Sequence, residues 1–175
     1  MKCAFAITLL GLSAPAGAEI LSSSPNAFHL RHGVNLVVKP EVALTTFDDV
    51  AQWWDAEHTY SGNSANLSLS LKPGGCFCET LPDGGGIEHL RVTYVEPGKR
   101  AVLTGSLGPL LYEATTGVLD VQVKSTAGGS QLTLDYKVVG FANGGAERTA
   151  GEVDQVLGTQ LKRYRAYVTA LPQVR

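Results

Sequence analysis

Two carboxylates, Glu79 and Glu88, stand either side of the turn Pro82-Asp83-Gly84-Gly85-Gly86. Such a turn joins two short strands into a hairpin. Paired across it, Glu79 would face Glu88, and Cys78 would face His89. At the rim of an apolar pocket, burial and like charge raise one of two carboxyl pKa values, which is how a general acid or base is made. Glu79 and Glu88 are therefore the candidate catalytic residues. The competing reading leaves both solvated beside the turn. Cys76, Cys78, His58 and His89 are zinc-ligand types, but Cys-x-Cys on a strand matches no standard zinc spacing, and no metal site is predicted. His29 and His32 fall on opposite faces of a strand and make no pair. The chain has no G-x-S-x-G elbow, phosphate loop or dinucleotide fingerprint, so no cofactor is expected.

The elements that position these residues are mostly short strands. Phe28 to Val38, Leu67 to Leu71, Cys76 to Leu81, Ile87 to Val95, Arg100 to Leu107, Thr116 to Ser125 and Ser130 to Phe141 each carry alternating or β-rich patterns between Gly and Pro turns. Two short helices are expected after the first strand, Pro40 to Leu44 and Phe47 to Trp54, the second capped by Thr46. Glu19 to Ala27 reads as a polar lead-in. The one long helix is the last element, Thr149 to Leu171. A Thr149-x-x-Glu152 capping box opens it, and Val153, Val156, Leu157, Leu161, Tyr164, Val168 and Leu171 form one stripe. Cys76 and Cys78 are read as two thiols on one strand face, because residues two apart in an extended strand are roughly 6.5–7 Å apart, at the limit for a disulfide.

Residues 1–18 have the form of a secretory leader: Lys2, a short apolar core from Ala4 to Leu12, and Ala16-Gly17-Ala18 before Glu19. The apolar run is shorter than the roughly 20 residues a membrane span needs. Removing the leader takes away Lys2 alone among the charged residues, leaving 13 basic and 16 acidic side chains and a formal charge of −3. With no basic run, nucleic acid is not an expected partner. The remaining 19–175 read as a single domain with no integral membrane segment, periplasmic or secreted.

The order β–αα–β(six strands)–α, with FDDVAQWW, HTYSG, LKPGGCFCE, VEPGKR and LTGSLGPL, resembles the SRPBCC superfamily. That family is also called START-like or Bet v-type, and these pieces resemble a bacterial branch of it grouped with polyketide cyclases and heat-shock-ATPase-activator-like domains. The resemblance covers roughly Phe28 to Leu171. It implies an α+β helix-grip fold: a curved antiparallel sheet of about seven strands around the C-terminal helix, enclosing a hydrophobic cavity. Relatives of this kind include lipid carriers, cyclases, hydrolases and chaperone cofactors, so fold alone does not choose among them.

Strand alternation places Phe77, Glu79, Leu90, Tyr94 and Tyr136 on the inner face. Adjacent Trp53 and Trp54 cannot share a helix face; one packs on the sheet and the other covers the pocket mouth, while His58 and Tyr60 in the following loop offer polar contacts. These nine residues are the expected binding set for a small hydrophobic or amphipathic molecule. An acid–base enzyme and a chaperone-cofactor-like interaction module are the alternatives.

Overall fold

The computed structural model describes residues 18–172. The expected leader, 1–18, lies outside the described residues but for its last. Eight antiparallel strands form one sheet in the order β1-β2-β8-β7-β6-β5-β4-β3. They are β1 (Ala18–Ser24), β2 (Ala27–Leu36), β3 (Leu67–Leu69), β4 (Cys76–Thr80), β5 (Gly86–Glu96), β6 (Arg100–Gly105), β7 (Thr116–Thr126) and β8 (Gly129–Val139). Between β2 and β3 lie α1 (Pro40–Phe47) and α2 (Val50–Trp53), and α3 (Ala146–Ala170) closes the chain. This is the α+β helix-grip architecture. No helix among the described residues is long and apolar enough to cross a membrane.

β1 is an addition to the expected seven strands. Its Ser-rich sequence carries no alternation signal, yet it forms a hairpin with β2 from Ala18↔His32 to Ser24↔Ala27, and α3 packs across both strands. The helix also begins earlier than its capping box predicts. Gly145, at φ 98°, is the N-cap, a conformation an L side chain resists. Thr149 and Glu152 therefore lie inside the helix. Thr46 is likewise inside α1, bonding back to the Val42 carbonyl (2.8 Å), and caps nothing.

The stripe of α3 divides into two functions along its length. Leu161, Tyr164 and Val168 are buried. Tyr164 packs edge-on against Phe47 and Trp53, and its hydroxyl donates to the Ala43 carbonyl. Val153, Val156 and Leu157, nearer the N-terminus, face a cavity instead.

Cys76 and Cys78 form a disulfide, with Cα atoms 5.5 Å apart, which corrects the two-thiol reading. A β-bulge falls at this point of the β4–β5 ladder. Bulges increase local twist, and a twisted strand rises less per residue. The pair thereby comes inside the 4.4–6.8 Å range a disulfide accepts.

Candidate functional site

Strand β5 departs from simple alternation twice. Phe77 pairs with Leu90 but Cys78 pairs with Glu88, so His89 is the extra residue of a bulge. His89 and Leu90 are consequently both buried. Gly105 on β6 accommodates this: a Cβ there would come within 2.9 Å of the His89 carbonyl oxygen and 3.3 Å of the Leu90 Cα. A second irregularity follows, Val92 pairing with Leu103 and Tyr94 with Val102. It takes Tyr94 off the inner face. Tyr94 is 46% exposed, beneath the Arg100 guanidinium at 5.8 Å, while Val95 packs against the core in its place.

The first bulge rewrites the expected carboxylate pair. Glu88 faces Cys78 and is exposed, ion-paired with Arg91 (2.5 Å). Glu79, opposite Ile87, has a fully buried side chain. Its carboxylate accepts the N–H of Tyr60 (3.1 Å) and of Ser61 (2.5 Å), and lies 3.1 Å from Nε2 of His89. Burial pushes the Glu79 carboxyl up, but the Ser61 side chain and N–H, the Tyr60 N–H and His89 together hold it below the usual range. His89 shifts downward, because burial outweighs the pull of Glu79. The pair is thus a carboxylate and a neutral imidazole. With Nε2 donating to the carboxylate, the proton sits on Nε2 and Nδ1 carries the lone pair. Nδ1 is buried, and among the described residues it has no hydrogen-bond partner.

The His89 ring is flanked by Tyr60, stacked at 5.9 Å, and by Phe77 at 5.1 Å. It borders a cavity of about 470 Å³. Trp54, Leu67, Phe77 and Leu107 supply much of the apolar wall, the turn Gly108–Glu113 covers one side, and Val153, Val156 and Leu157 of α3 close the other. Glu57, Glu113, Glu152 and Arg148 also line it, all four exposed. Among the described residues none of these four charged groups has an ion-pair partner.

Of the nine expected binding residues, Trp54, His58, Tyr60 and Phe77 line this cavity. The tryptophans separate because the chain leaves the helix at Trp54, which is extended at φ −66°, ψ 146°. Trp53 packs between Phe47 and Tyr164, whereas Trp54 reaches the cavity wall, its indole N–H donating to the His58 carbonyl (3.0 Å). Gln160 of α3 holds this loop, accepting from the Asp55 N–H (2.8 Å). Leu90 and Tyr136 are buried in the core behind the cavity, Glu79 acts from beneath it, and Tyr94 is on the outside. His89 is the member that alternation missed. Only the unequal pairing of β4 and β5 brings it inward. Cys76 and Cys78 are bonded to each other and His89 lies on the opposite face of the sheet, so these residues and His58 form no common ligand set.

No protein-family model matches this sequence, and no curated protein does. Solved structures share its fold. An uncharacterized protein from Rhizobium leguminosarum superposes with a TM-score of 0.62 at 13% identity, over 83% of this chain and 96% of that one. A protein from Rhodobacter sphaeroides gives 0.56 at 17% identity, over 89% and 99%. DynU16, from the dynemicin biosynthetic locus, gives 0.56 at 19% identity, over 81% of this chain and 47% of DynU16. At these identities the likeness is one of fold.

Proposed function

We propose that this is an exported protein of the SRPBCC kind that binds one small hydrophobic or amphipathic molecule between its sheet and α3. The observation that carries the reading is the cavity of about 470 Å³. Small-molecule sites commonly span about 300–1,000 Å³, with mostly apolar walls and a few placed polar groups. Here Trp54, Phe77, Val153 and Val156 supply the wall, and His58, Tyr60 and His89 the polar groups. The binding reading is favoured over the acid–base one by the positions of the two carboxylates: Glu88 is outside and paired with Arg91, and Glu79 is engaged by Tyr60, Ser61 and His89.

Export is supported by the leader pattern of 1–18 and by the Cys76–Cys78 disulfide, which persists in oxidising compartments. Cleavage between Ala18 and Glu19 leaves every β1–β2 pair from Glu19↔Arg31 onward. The test is native mass spectrometry of the protein purified from its own exported fraction, followed by denaturing extraction. A stoichiometric small molecule is expected, and its occupancy falls in Val156→Trp, which narrows the cavity from the α3 side. A bare mass for the unaltered protein would sink the carrier reading.

A further inference from the structure

Strand β4 carries a disulfide that the fold does not need as a staple. A disulfide stabilises mainly by closing a loop of the unfolded chain, and that gain grows with the length of the loop. Cys76 and Cys78 are two residues apart, so the loop they close is very short. The strand is held on both sides without the bond. Ser68 of β3 pairs with Cys78, and on β5 Arg91 pairs with Cys76 and Glu88 with Cys78. The bond also lies apart from the cavity. Phe77 and Glu79 turn inward and are buried, while the two cysteines are half-buried on the opposite face. That face is open around them. Their cross-strand neighbours Ser68, Glu88 and Arg91 are all exposed, so a thiol from outside has a path to the sulfurs.

We propose that Cys76–Cys78 is an exchangeable redox pair, whose reaction partner is a dithiol on another protein. One thiolate of the partner attacks a sulfur of the pair. The bond between Cys76 and Cys78 breaks as the bond to the partner forms, and the other cysteine leaves as a thiolate that takes up a proton. The partner's second thiol then gives up its proton, attacks the mixed disulfide and displaces the protein's remaining sulfur, which is protonated in turn. The partner ends with a disulfide of its own. Cys76 and Cys78 end as thiols, having gained two electrons and two protons. The charges beside the bond suit this exchange. The Glu88 carboxylate lies within 4.8 Å of both sulfurs and would by itself repel an incoming thiolate. Arg91, opposite Cys76, neutralises it at 2.5 Å and also reaches the Gly74 carbonyl (3.3 Å). A guanidinium so placed favours a thiolate, arriving or departing.

The pair is tested in the full chain carrying Cys3→Ser, in which Cys76 and Cys78 are the only cysteines. The first probe is dithiothreitol at about pH 7.5, with alkylation and mass spectrometry counting the thiols. Two thiols are expected to appear on a protein that keeps its near-ultraviolet circular dichroism. Its melting temperature is expected to fall by no more than about 5 °C, as so short a loop implies. The second probe is a synthetic peptide with two thiols. The oxidised protein is expected to convert it to the peptide disulfide, mole for mole, while gaining two thiols itself. The same protein, reduced and alkylated beforehand, should leave the peptide untouched, a control that needs no substitution in β4. A bond that yields to dithiothreitol only in denaturant, or whose reduction unfolds the protein, is a structural staple and overturns the proposal. Reduction by dithiothreitol with no oxidation of the peptide overturns it as well. The cavity's binding role is decided separately, by the small molecule that the protein carries or lacks.

Discussion

The protein buries two histidines against carboxylates, and the two pairs are built on different plans. His32 on β2 is 3% exposed and sits under α3, its Nε2 2.9 Å from the Asp154 oxygen. The approach is off the line of a hydrogen bond, and among the described residues neither atom has another partner. Asp154 is 26% exposed, and Gly158 lies so close that a Cβ there would be 3.4 Å from the His32 ring. His89 is 4% exposed, but its carboxylate is wholly buried and accepts from two backbone N–H groups besides. Distance and burial of the imidazole are alike in the two places. What differs is how completely the carboxylate is held, and whether a cavity lies beside the ring. A carboxylate with one loose partner beside solvent is a surface charge over a packed histidine. One fixed on several sides can impose a tautomer on its histidine.

The largest separation between the two pairs is expected in stability. Glu79→Ala strands the N–H groups of Tyr60 and Ser61 together with Nε2 of His89 in a buried site. Leaving buried donors without their acceptor costs about 1–3 kcal/mol, and about 3 kcal/mol is expected here from urea unfolding because three donors lose theirs together. Hydrogen exchange should also quicken at Tyr60 and Ser61. A loss below about 1 kcal/mol would show that Glu79 anchors nothing, and would make the two pairs equivalent.

A pH titration sharpens the comparison differently, because both imidazoles respond with the same sign. Burial holds His32 and His89 below their ordinary value of 6.5, against the opposing pull of Asp154 and Glu79. Between the lowered folded value and 6.5 the unfolded chain binds more protons, so stability falls as pH drops. Glu79, held below its ordinary 4.5, keeps its contribution until the pH falls beneath that value. Melting temperature is therefore expected to decline in two stages, the first beginning near pH 6.5 and the second below about 4.5. His32→Leu should shrink the first stage and leave the second in place. A melting temperature flat from pH 7.5 to 5 would contradict the assignment of both rings as neutral.

How much of this could be read beforehand follows from which interactions are local. The stripe of α3 and the alternating strands announce themselves because their period is written in consecutive side chains. The helix-grip arrangement follows from their order. β1 has a run of serines at the sheet edge and announces nothing. The site was half legible: Trp54, His58, Tyr60 and Phe77 sit in or beside recognisable elements. Tyr94 and His89 were misplaced by two bulges in one strand, each reversing which residues face inward, and alternation has no means of showing a bulge. The adjacency of polar His89 and apolar Leu90, both inward, was invisible until β4 and β5 were paired. Glu79 was singled out as a carboxylate at the rim of an apolar pocket; it is buried, but among polar partners. Its partners, the backbone of Tyr60 and Ser61, come from a loop whose path no periodicity encodes.

The smallest expected effect is at Asp154, and it carries the most discriminating sign. At pH 7.5 His32 is neutral, so Asp154→Ala removes only a partly exposed charge beside a dipole. Such a contact is worth under about 1 kcal/mol, and urea unfolding at that pH should scarcely register the change. Below pH 6.5 the same variant should do worse than the unaltered chain, because Asp154 is what offsets the burial of His32. Without it the folded value falls further from 6.5, the proton difference between unfolded and folded chains widens, and the acid decline steepens. Glu79→Ala should show the reverse proportion, with its loss already large at pH 7.5. If Asp154→Ala costs as much at pH 7.5 as Glu79→Ala, the Asp154 carboxylate is as firmly held as Glu79, and the distinction between the two pairs disappears.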